Sequence, residues 1–578
     1  MTEKPKPIET GQTADSAKES SFDDTERVMA KDFKEYSVAE FFKKNRQMLG
    51  YSGKVRSLTT IVHEYVTNSI DSAEDANIPP EISVEVQQLN SHIKIITQDN
   101  GTGVPKSKIG QAFGKLLSGT KFSQRRQQRG QQGIGAAYAT LFSQITTGKP
   151  THIKTGIGNY KAFEADVAID VKTNEPVITN GKEFSQNFRG VRIAAEFAEV
   201  TYNRSEYGVY EYLRRTALAN PHVQLSLIEP TKEIVVFPRA ITQIPPKPKP
   251  TLPHPLGLTT SDIMDMAAIS KARKISSFLV TEFSRVSNDK VKELDALVNA
   301  KLNPKENTEP PHNFVDFNRS PGSLKWHEAE RIVQAIQTVK WISPETSTLI
   351  PIGELQLEKS LKNLLKPEAL KVVARRPRVF RGGIPFLVEA GIAYGGNAGA
   401  VKGNQPGGEL LRFSNRVPLL FDAGSCAISE AAKTIDWARY DLKDWEEKPV
   451  TIFVNFVSVY VPYTGAGKLA ISAEEEIVTE IRAALMECAR DISHYLHSMQ
   501  RIEDQERRRQ LFFRYIGEVA QALGELTGKE QSVLKNKLQK IAEVRTAMEE
   551  KADKVEDAEE ELEQMEKAAS KELEEESK

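Results

Sequence analysis

Glu64 and Asn68 are the first residues in this chain whose types and spacing indicate chemistry. They are four residues apart, so on a helix they lie on one face, with Asp71 close by. The Asn68 side-chain carbonyl could give Mg²⁺ a hard oxygen ligand, and Glu64 could accept a proton from an attacking water. The pattern therefore indicates phosphate chemistry, although the solvated face of an ordinary helix would carry the same residue types.

Two further motifs carry groups that could hold a nucleotide. Asp99 stands at the end of a predicted strand, where its carboxylate could accept a hydrogen bond from an adenine amino group. Gly101 and Gly103 would let the backbone approach a ligand closely. The glycine-rich run from Gly130 to Gly135 precedes a predicted helix, whose free N–H groups could surround phosphates. The segment from Gly110 to Gln132 is predicted to form a mobile lid over those phosphates.

Apolar periodicity predicts the elements that must position these motifs. Leu58, Val62 and Tyr65 recur at helical spacing, so the helix that carries Glu64 should bury one side against a sheet. Alternating apolar residues from Ile82 to Ile95 predict a β-hairpin immediately before Asp99. A strand, a turn and a glycine-rich helix start would then surround one helix.

The order of the three motifs resembles the Bergerat ATP fold of type II topoisomerases, heat-shock ATPase chaperones, mismatch-repair ATPases and histidine kinases. The stretches Asn68–Ala73 and Ser118–Ala136 are more narrowly similar to the B subunits of DNA topoisomerase VI. The resemblance implies an α+β multidomain protein. Its expected parts are a Bergerat-fold α/β sandwich ATPase domain, a small helix-two-turn-helix domain, and an α/β transducer domain with a long C-terminal stalk helix.

The resemblance also implies roles for individual residues and two cofactors, ATP and Mg²⁺. Glu64 and Lys468 are the implied catalytic residues, with Lys468 reaching the γ-phosphate from the transducer, and Asn68 is the implied metal ligand. Val191 stands where many relatives carry threonine, so no base contact is assigned there. The residues expected to contact the nucleotide are Asn68, Asp99, Gly101, Gly103, Thr120, Lys121, Arg129, Gly130, Gln131, Gln132, Gly133, Ile134, Gly135, Ala136 and Lys468.

Composition and the resemblance together divide the chain, and Pro245–Pro250 is predicted to be a stiff linker. Beyond it, Ser261 and Ser270 are predicted to cap short helices. The expected segments are a disordered tail at 1–28, an N-terminal strap at 29–50, the ATPase domain at 51–240, the helix-two-turn-helix domain at 251–310, the transducer at 311–471, the stalk helix at 472–505, an A-subunit docking segment at 506–528 and an acidic helical tail at 529–578.

Several of these segments have a simpler alternative. The strap could be an ordinary packing helix instead of a segment that reaches a second protomer. The docking segment could pack back on its own domain. Lys271, Arg273, Lys274 and Arg285 could contact DNA phosphates or form a solvated face. The Trp437–Tyr440 stretch stands where relatives often carry Trp-Lys-x-Tyr, and without that lysine its role toward DNA stays open.

The net charge of the 578 residues, −1, argues against a uniformly basic DNA-binding surface. Two cysteines, Cys426 and Cys488, exclude a disulfide framework and are expected to be buried thiols in the cytoplasm. No apolar run approaches the ~20 residues that span a bilayer, so no membrane partner is expected.

Together these features predict the ATPase subunit of a type IIB DNA topoisomerase. ATP would bring two copies together to capture a segment of double-stranded DNA. The resemblance implies that cleavage belongs to an A subunit with a catalytic tyrosine, in an A2B2 heterotetramer. The alternatives are a chaperone or mismatch-repair ATPase with the same nucleotide fold, a signalling kinase with His63 as its phosphoacceptor, and a non-hydrolysing scaffold.

Overall fold

The computed structural model describes residues 44–46, 50–116, 126–129, 135–300, 314–402, 405–465 and 469–542. They fall into two compact units, one within Met1–Ile435 and Glu446–Cys488, the other within Asp436–Trp445 and Ala489–Lys578. The predicted tail at 1–28, most of the strap at 29–50 and the acidic tail beyond residue 542 lie outside the described residues.

The first unit contains a mixed sheet of eight strands among the described residues. They are β1 Glu81–Gln88, β2 Ile93–Gln98, β3 Thr151–Ile157, β4 Ala162–Asp170, β5 Glu175–Phe184, β6 Arg189–Phe197, β7 Gln224–Ile228 and β8 Ile234–Phe237. Their order is β5-β4-β3-β6-β2-β1-β7-β8, and only β1 and β7 pair in parallel. The predicted hairpin is therefore confirmed as β1 and β2, in the middle of the sheet.

Helices pack against this sheet through a common apolar core. They are α1 Lys54–Asp75, α2 Ile109–Phe113, α3 Gly135–Thr147 and α4 Val209–Ala219. The predicted stripe on α1 is confirmed, because Leu58, Val62 and Tyr65 are all buried. Burying one face of α1 leaves the opposite face available for polar side chains.

A buried ionic cluster holds the C-terminal end of α1. Glu74 Oε1 lies 2.6 Å from Arg129 Nη2 and 2.7 Å from His222 Nε2. Although burial opposes its charge, the Arg129 guanidinium and the hydrogen bonds hold the pKa of Glu74 well below its usual range. Burial lowers the pKa of His222, so its neutral form is favoured in the folded protein.

A separate apolar core joins four helices after the proline-rich linker. They are α5 Thr260–Ile269, α6 Ile275–Glu282, α7 Asn288–Val298 and α8 Trp326–Thr338. The core includes α8, which lies beyond the predicted boundary at residue 310. The cap predicted at Ser261 is wrong, because Thr259 caps the start of α5 through a reciprocal capping box with Asp262. Ser270 is the C-cap residue of α5, whereas the N-cap of α6 is Lys274.

The region expected to be the transducer combines α9 with a second sheet, in which β11 and β16 are central. Phe413 and Phe453 stack in its core with ring centroids 4.5 Å apart. The central strand β16 is buried along its whole length, Val450–Ser458. The elements are α9 Glu354–Leu365, β9 Ala369–Ala374, β10 Arg378–Phe380, β11 Ile384–Tyr394, β12 Ala400–Lys402, β13 Gln405–Gly407, β14 Glu409–Ser414, β15 Val417–Pro418, α10 Ala427–Lys433 and β16 Val450–Ser458.

The longest element is α11, Glu475–Thr527, which runs unbroken past the predicted boundary at residue 505. In the first unit, Arg375 fixes its start to the end of β9 through ion pairs of 2.7 Å with Glu480 and with Glu487. Both cysteines are buried, as predicted. In the part of the chain that the structure describes, no helix is long and apolar enough to cross a membrane.

The second unit contains the later part of α11 and the loop that carries the Trp437–Tyr440 stretch. Asp441 accepts a hydrogen bond from Ser493 Oγ at 3.0 Å and pairs with His497. Farther along α11, a cavity of about 410 Å³ is lined by Arg508, Leu511, Phe512, Tyr515, Ile516, Val519 and Leu538.

The depressed pKa of His222 predicts a pH dependence of stability. The unfolded chain binds a proton at this histidine more readily than the folded chain, so stability should fall as the pH drops below about 6.5. His222→Gln keeps an N–H group near Glu74 but cannot take up a proton. Thermal unfolding between about pH 7 and about pH 5 should therefore show a smaller loss of stability in this variant. Equal losses in variant and wild type would contradict the assignment.

Candidate nucleotide-binding site

Helix α1 presents its polar face where the sequence predicts it. Asn68 is exposed, and the Glu64 side chain retains 32% of its accessible surface. Both project from a helix whose other face is fixed in the core by Leu58, Val62 and Tyr65. The rigid packing of α1 therefore determines where these two polar groups are held.

Asp99 lies at the end of β2 and is fixed from three directions. Its Oδ2 atom accepts a hydrogen bond from Ser69 Oγ at 2.9 Å. Its Oδ1 atom accepts from the backbone N–H groups of Gly101 at 2.9 Å and Val191 at 3.1 Å. Burial raises the pKa of Asp99, and these hydrogen bonds oppose the rise. Because Ser69 follows Asn68 directly, this contact brings the first two motifs together.

Sequence reasoning missed Gly190 and the main chain of Val191. A Cβ atom on Gly190 would lie 2.1 Å from the Asp99 carbonyl oxygen, and its φ of +104° also favours glycine. Val191 exchanges hydrogen bonds with Asp99 through its backbone, so its side-chain type is irrelevant to that contact. The available signal for a close backbone approach was a glycine next to the strand-forming residues of β6.

Gly135 begins α3 beside the carboxylate of Glu64. A Cβ atom built on Gly135 would lie 1.7 Å from Glu64 Oε2. This glycine therefore leaves the space in which the carboxylate lies, at the N-terminus of a helix that favours negative charge. The contact joins the third motif to the first. The neighbouring Ala136 is buried in the same helix.

The glycines after Asp99 allow close backbone packing. A Cβ atom on Gly101 would lie 2.3 Å from Ser72 Oγ, and one on Gly103 would lie 2.3 Å from the Gly156 carbonyl oxygen. Gly103 also has a φ of +72°. The loop that follows Asp99 therefore packs closely between α1 and β3. This packing fixes the position of Asp99.

The Arg129 side chain is 8% exposed, and its guanidinium contacts protein groups. It donates to Asp71 at 2.8 Å, to Glu74 at 2.6 and 2.7 Å, and to the side chain of Asn220 at 2.8 Å. This side chain therefore anchors the start of the glycine-rich run to α1. The remaining predicted contacts, Thr120, Lys121, Gly130, Gln131, Gln132, Gly133, Ile134 and Lys468, lie outside the described residues, as does most of the predicted lid.

Tyr51 is a further buried group near the candidate catalytic carboxylate. Burial raises its pKa well above the ordinary value, and the negative charge of Glu64 adds to that rise. Its hydroxyl therefore stays protonated and cannot compete with Glu64 as a base. Sequence reasoning missed this residue because it lies outside the three motifs.

The donor set on α1 fits a magnesium ion that is held mainly by a nucleotide. No group of three His, Cys, Asp or Glu side chains among the described residues could hold a metal ion by itself. Mg²⁺ commonly takes one or two protein oxygens and completes its shell with phosphates and water. The exposed amide of Asn68 could supply such an oxygen.

Comparisons with known proteins agree with this geometry. Residues 53–184 match the family model for histidine kinase-, DNA gyrase B-, and HSP90-like ATPases. Residues 344–508 match the model for the topoisomerase VI B subunit transducer.

Similar proteins cover nearly the whole chain. The B subunit of type 2 DNA topoisomerase 6 from Thermococcus kodakarensis is 44% identical over 537 residues, which are 87% of this chain and 94% of that relative. The protein of the same name from Methanothermobacter thermautotrophicus is 44% identical over 503 residues, with 86% and 93% covered. The one from Pyrococcus abyssi is 43% identical over 557 residues, with 91% and 97% covered.

These matches include the transducer as well as the ATPase domain, so the kinase, chaperone and mismatch-repair interpretations are not supported. The similarity in sequence agrees with the convergence of the motifs on α1. The chain belongs to the family of type 2 DNA topoisomerase 6 B subunits.

Proposed function

We propose that this chain is the ATP-binding and ATP-hydrolysing subunit of a type IIB DNA topoisomerase, in which a partner A subunit cleaves the DNA. One observation carries the proposal: the other two motifs meet on α1, through the hydrogen bond from Ser69 to Asp99 and the close approach of Gly135 to Glu64. The same chain carries the transducer of this family.

Within the pocket, each group has a distinct task. Asp99 accepts a hydrogen bond from the adenine amino group, since its carboxylate is already oriented by Ser69 and two backbone N–H groups. Asn68 offers its amide oxygen to Mg²⁺, which when bound neutralises phosphate charge. Glu64 takes a proton from the water that attacks the γ-phosphate, and ADP and phosphate are the products.

The predicted contacts outside the described residues complete the proposed pocket. The backbone of residues 130–134 surrounds the phosphates, with Gly135 and Ala136 continuing into α3. Thr120 and Lys121 contact the phosphates from the preceding segment. Lys468 approaches the γ-phosphate from the transducer and stabilises its charge.

ATP binding should favour a closed dimer of two chains. A nucleotide can shift this equilibrium only through higher affinity for the closed state than for the open one. The strap at 29–50 is proposed to reach the second protomer. Closure would capture a DNA segment, and hydrolysis would release it.

The helical region offers a surface for DNA. Lys271, Arg273, Lys274 and Arg285 are exposed, and the first three lie at or between the ends of α5 and α6. Contacts to phosphates at these positions would add affinity without reading sequence and would weaken with salt. Arg439 is also exposed, beside the buried Trp437.

The apolar cavity on α11 is the proposed docking site for the A subunit. Leu511, Phe512 and Tyr515 are 55%, 49% and 50% exposed. Contiguous exposed apolar side chains of this size mark interaction surfaces. A protein partner with an apolar segment matches this lining better than DNA, which would require several cations.

The function is tested by DNA strand passage with the full complex. This chain, co-purified with a protein that has a catalytic tyrosine and an acidic metal-binding domain, should decatenate DNA with ATP and Mg²⁺. EDTA should abolish the reaction. ATP hydrolysis without decatenation would instead indicate another kind of ATPase with the same nucleotide fold.

Glu64→Ala tests the general base. We expect hydrolysis to fall by about two orders of magnitude or more, because proton transfer is lost. Dimerisation with a non-hydrolysable ATP analogue should persist, because Asn68 and Asp99 are unchanged. Glu358→Ala, which removes a partly exposed carboxylate from α9, is the control. Surviving hydrolysis in Glu64→Ala would show that Glu64 is not the base.

Phe512→Asp and Tyr515→Asp test the docking site. A charge in the apolar cavity should abolish co-purification of the A subunit and leave the ATPase activity of the isolated chain unchanged. Leu526→Asp is the matched control, since Leu526 is 83% exposed on the same helix and does not line the cavity. If both cavity variants retain the A subunit, its contact lies elsewhere.

A further inference from the structure

We propose that Gln127, Asn415 and Arg416 are positioning residues that link the nucleotide helix α1 to the transducer and transmit its nucleotide state. The inference rests on the proposed ATPase function and extends it to a second connection, independent of Lys468. We call this set of three residues the polar joint. All of its contacts lie within the first unit.

Gln127 is joined to the transducer by a paired hydrogen bond. Its Nε2 atom donates to the carbonyl oxygen of Ile350 at 2.9 Å, and its Oε1 atom accepts from the N–H of Ile350 at 2.7 Å. Both backbone groups of one residue are therefore satisfied by one side chain. Gln127 is buried, so water does not replace these bonds readily.

The transducer side of the joint is the two-residue hairpin turn between β14 and β15. Asn415 and Arg416 have φ values of +48° and +68°, although neither is glycine. Positive φ at both residues is what a two-residue type I′ hairpin turn requires, and asparagine is favoured in such turns, whereas arginine adopts this backbone less often. Asn415 uses its side-chain amide here, donating to the backbone of Gln128 at 3.3 Å and of Ser458 at 2.9 Å.

Arg416 is buried and bonds to the same transducer segment that Gln127 reaches. Its Nη2 atom donates to the Pro351 carbonyl oxygen at 2.7 Å. Its backbone N–H donates to Asn455 Oδ1 at 3.1 Å, in the centre of β16. The turn thus joins residues 350–351 to the middle of the transducer sheet.

The buried carboxylate of Glu389 links the hydrogen bonds of residues 350–353 to those of the transducer sheet. Glu389, on β11, accepts from the N–H groups of Ile352 at 3.1 Å and Gly353 at 2.7 Å, and from Asn455 Nδ2 at 2.7 Å. Burial raises its pKa. Residues 350–353 are therefore bonded on one side to Gln127 and on the other to the two central strands of the transducer.

The polar joint is connected to α1 through Arg129. Arg129, two residues after Gln127, bonds to Asp71 and Glu74 on α1. These carboxylates follow Asn68 by one to two helical turns. A displacement of α1 on nucleotide binding would therefore act on Arg129, then on Gln127, and then on residues 350–353.

Attachment of the domains does not require this network. Leu218 at the end of α4 shares an apolar core with Leu357 and Leu361 of α9, and Ser360 donates to the Leu218 carbonyl oxygen at 2.8 Å. Apolar burial stabilises the contact between the two helices but does not specify their orientation. Buried hydrogen-bonded groups, in contrast, pair in one arrangement only. The polar joint can therefore select the relative position of parts that the apolar core already holds together.

Hydrogen exchange in the full-length chain tests the joint. In wild type, a non-hydrolysable ATP analogue with Mg²⁺ should slow exchange in residues 54–75 and also at the N–H groups of Ile352 and Gly353. Gln127→Ala should keep the first effect and lose the second. Asn415→Gly provides an independent test, because glycine tolerates the positive φ and removes only the side-chain bonds.

The matched control is Asn180→Gly, which changes the same residue type at a φ of +53° in the exposed strand β5. It should leave both effects intact. A nucleotide response at Ile352 and Gly353 that survives in Gln127→Ala and Asn415→Gly would overturn the proposal. Loss of the response in residues 54–75 in those variants would also overturn it, since the residues would then serve nucleotide binding itself.

If this chain does not bind a nucleotide in the proposed pocket, hydrogen exchange will show a different pattern. If wild type shows no nucleotide effect in residues 54–75, the pocket is wrongly assigned, whatever the joint does. In the complex with its A subunit, Gln127→Ala should raise the ATP consumed per strand-passage event by about tenfold. An unchanged ratio would mean that the joint does not couple hydrolysis to DNA passage.

Discussion

The hydrogen bond between Ser69 and Asp99 is the contact on which the arrangement of the pocket depends. It ties a helix to the end of a central strand, and the same carboxylate holds the backbone of Val191 in the neighbouring strand. Buried carboxylates need such partners, because an unpaired charge in the interior is costly. The requirement to satisfy Asp99 therefore also fixes the position of the adjacent Asn68.

Steric space is the second constraint on the pocket. Gly135 and Gly190 lie where any side chain would meet Glu64 or the Asp99 backbone. Such glycines do not contribute binding groups of their own; they leave room for those of other residues. The shape of the pocket therefore depends on the absence of side chains at these glycines as well as on its polar side chains.

The connection between the ATPase domain and the transducer combines two kinds of contact. The apolar core between α4 and α9 holds the two domains together, and the polar joint fixes their relative position. Unsatisfied polar groups are expensive when buried, so a joint of this kind resists arrangements that break only some of its bonds. Such resistance to partial rearrangement is what a connection needs if it is to respond differently to different nucleotide states.

The nucleotide helix, the hairpin before Asp99 and the family could be predicted from the sequence alone, because local periodicity and short motifs carry that information. The start of α5 was predicted less well, since Thr259 and the nearby Ser261 are both favourable cap residues. The partners of Arg129 and the pairing of Gln127 with Ile350 emerged only from the fold. The residues of that pair are 223 positions apart, and no local pattern specifies a hydrogen bond over such a separation. The residue types that could act are visible in the sequence, but their pairing depends on how two sheets and their helices pack.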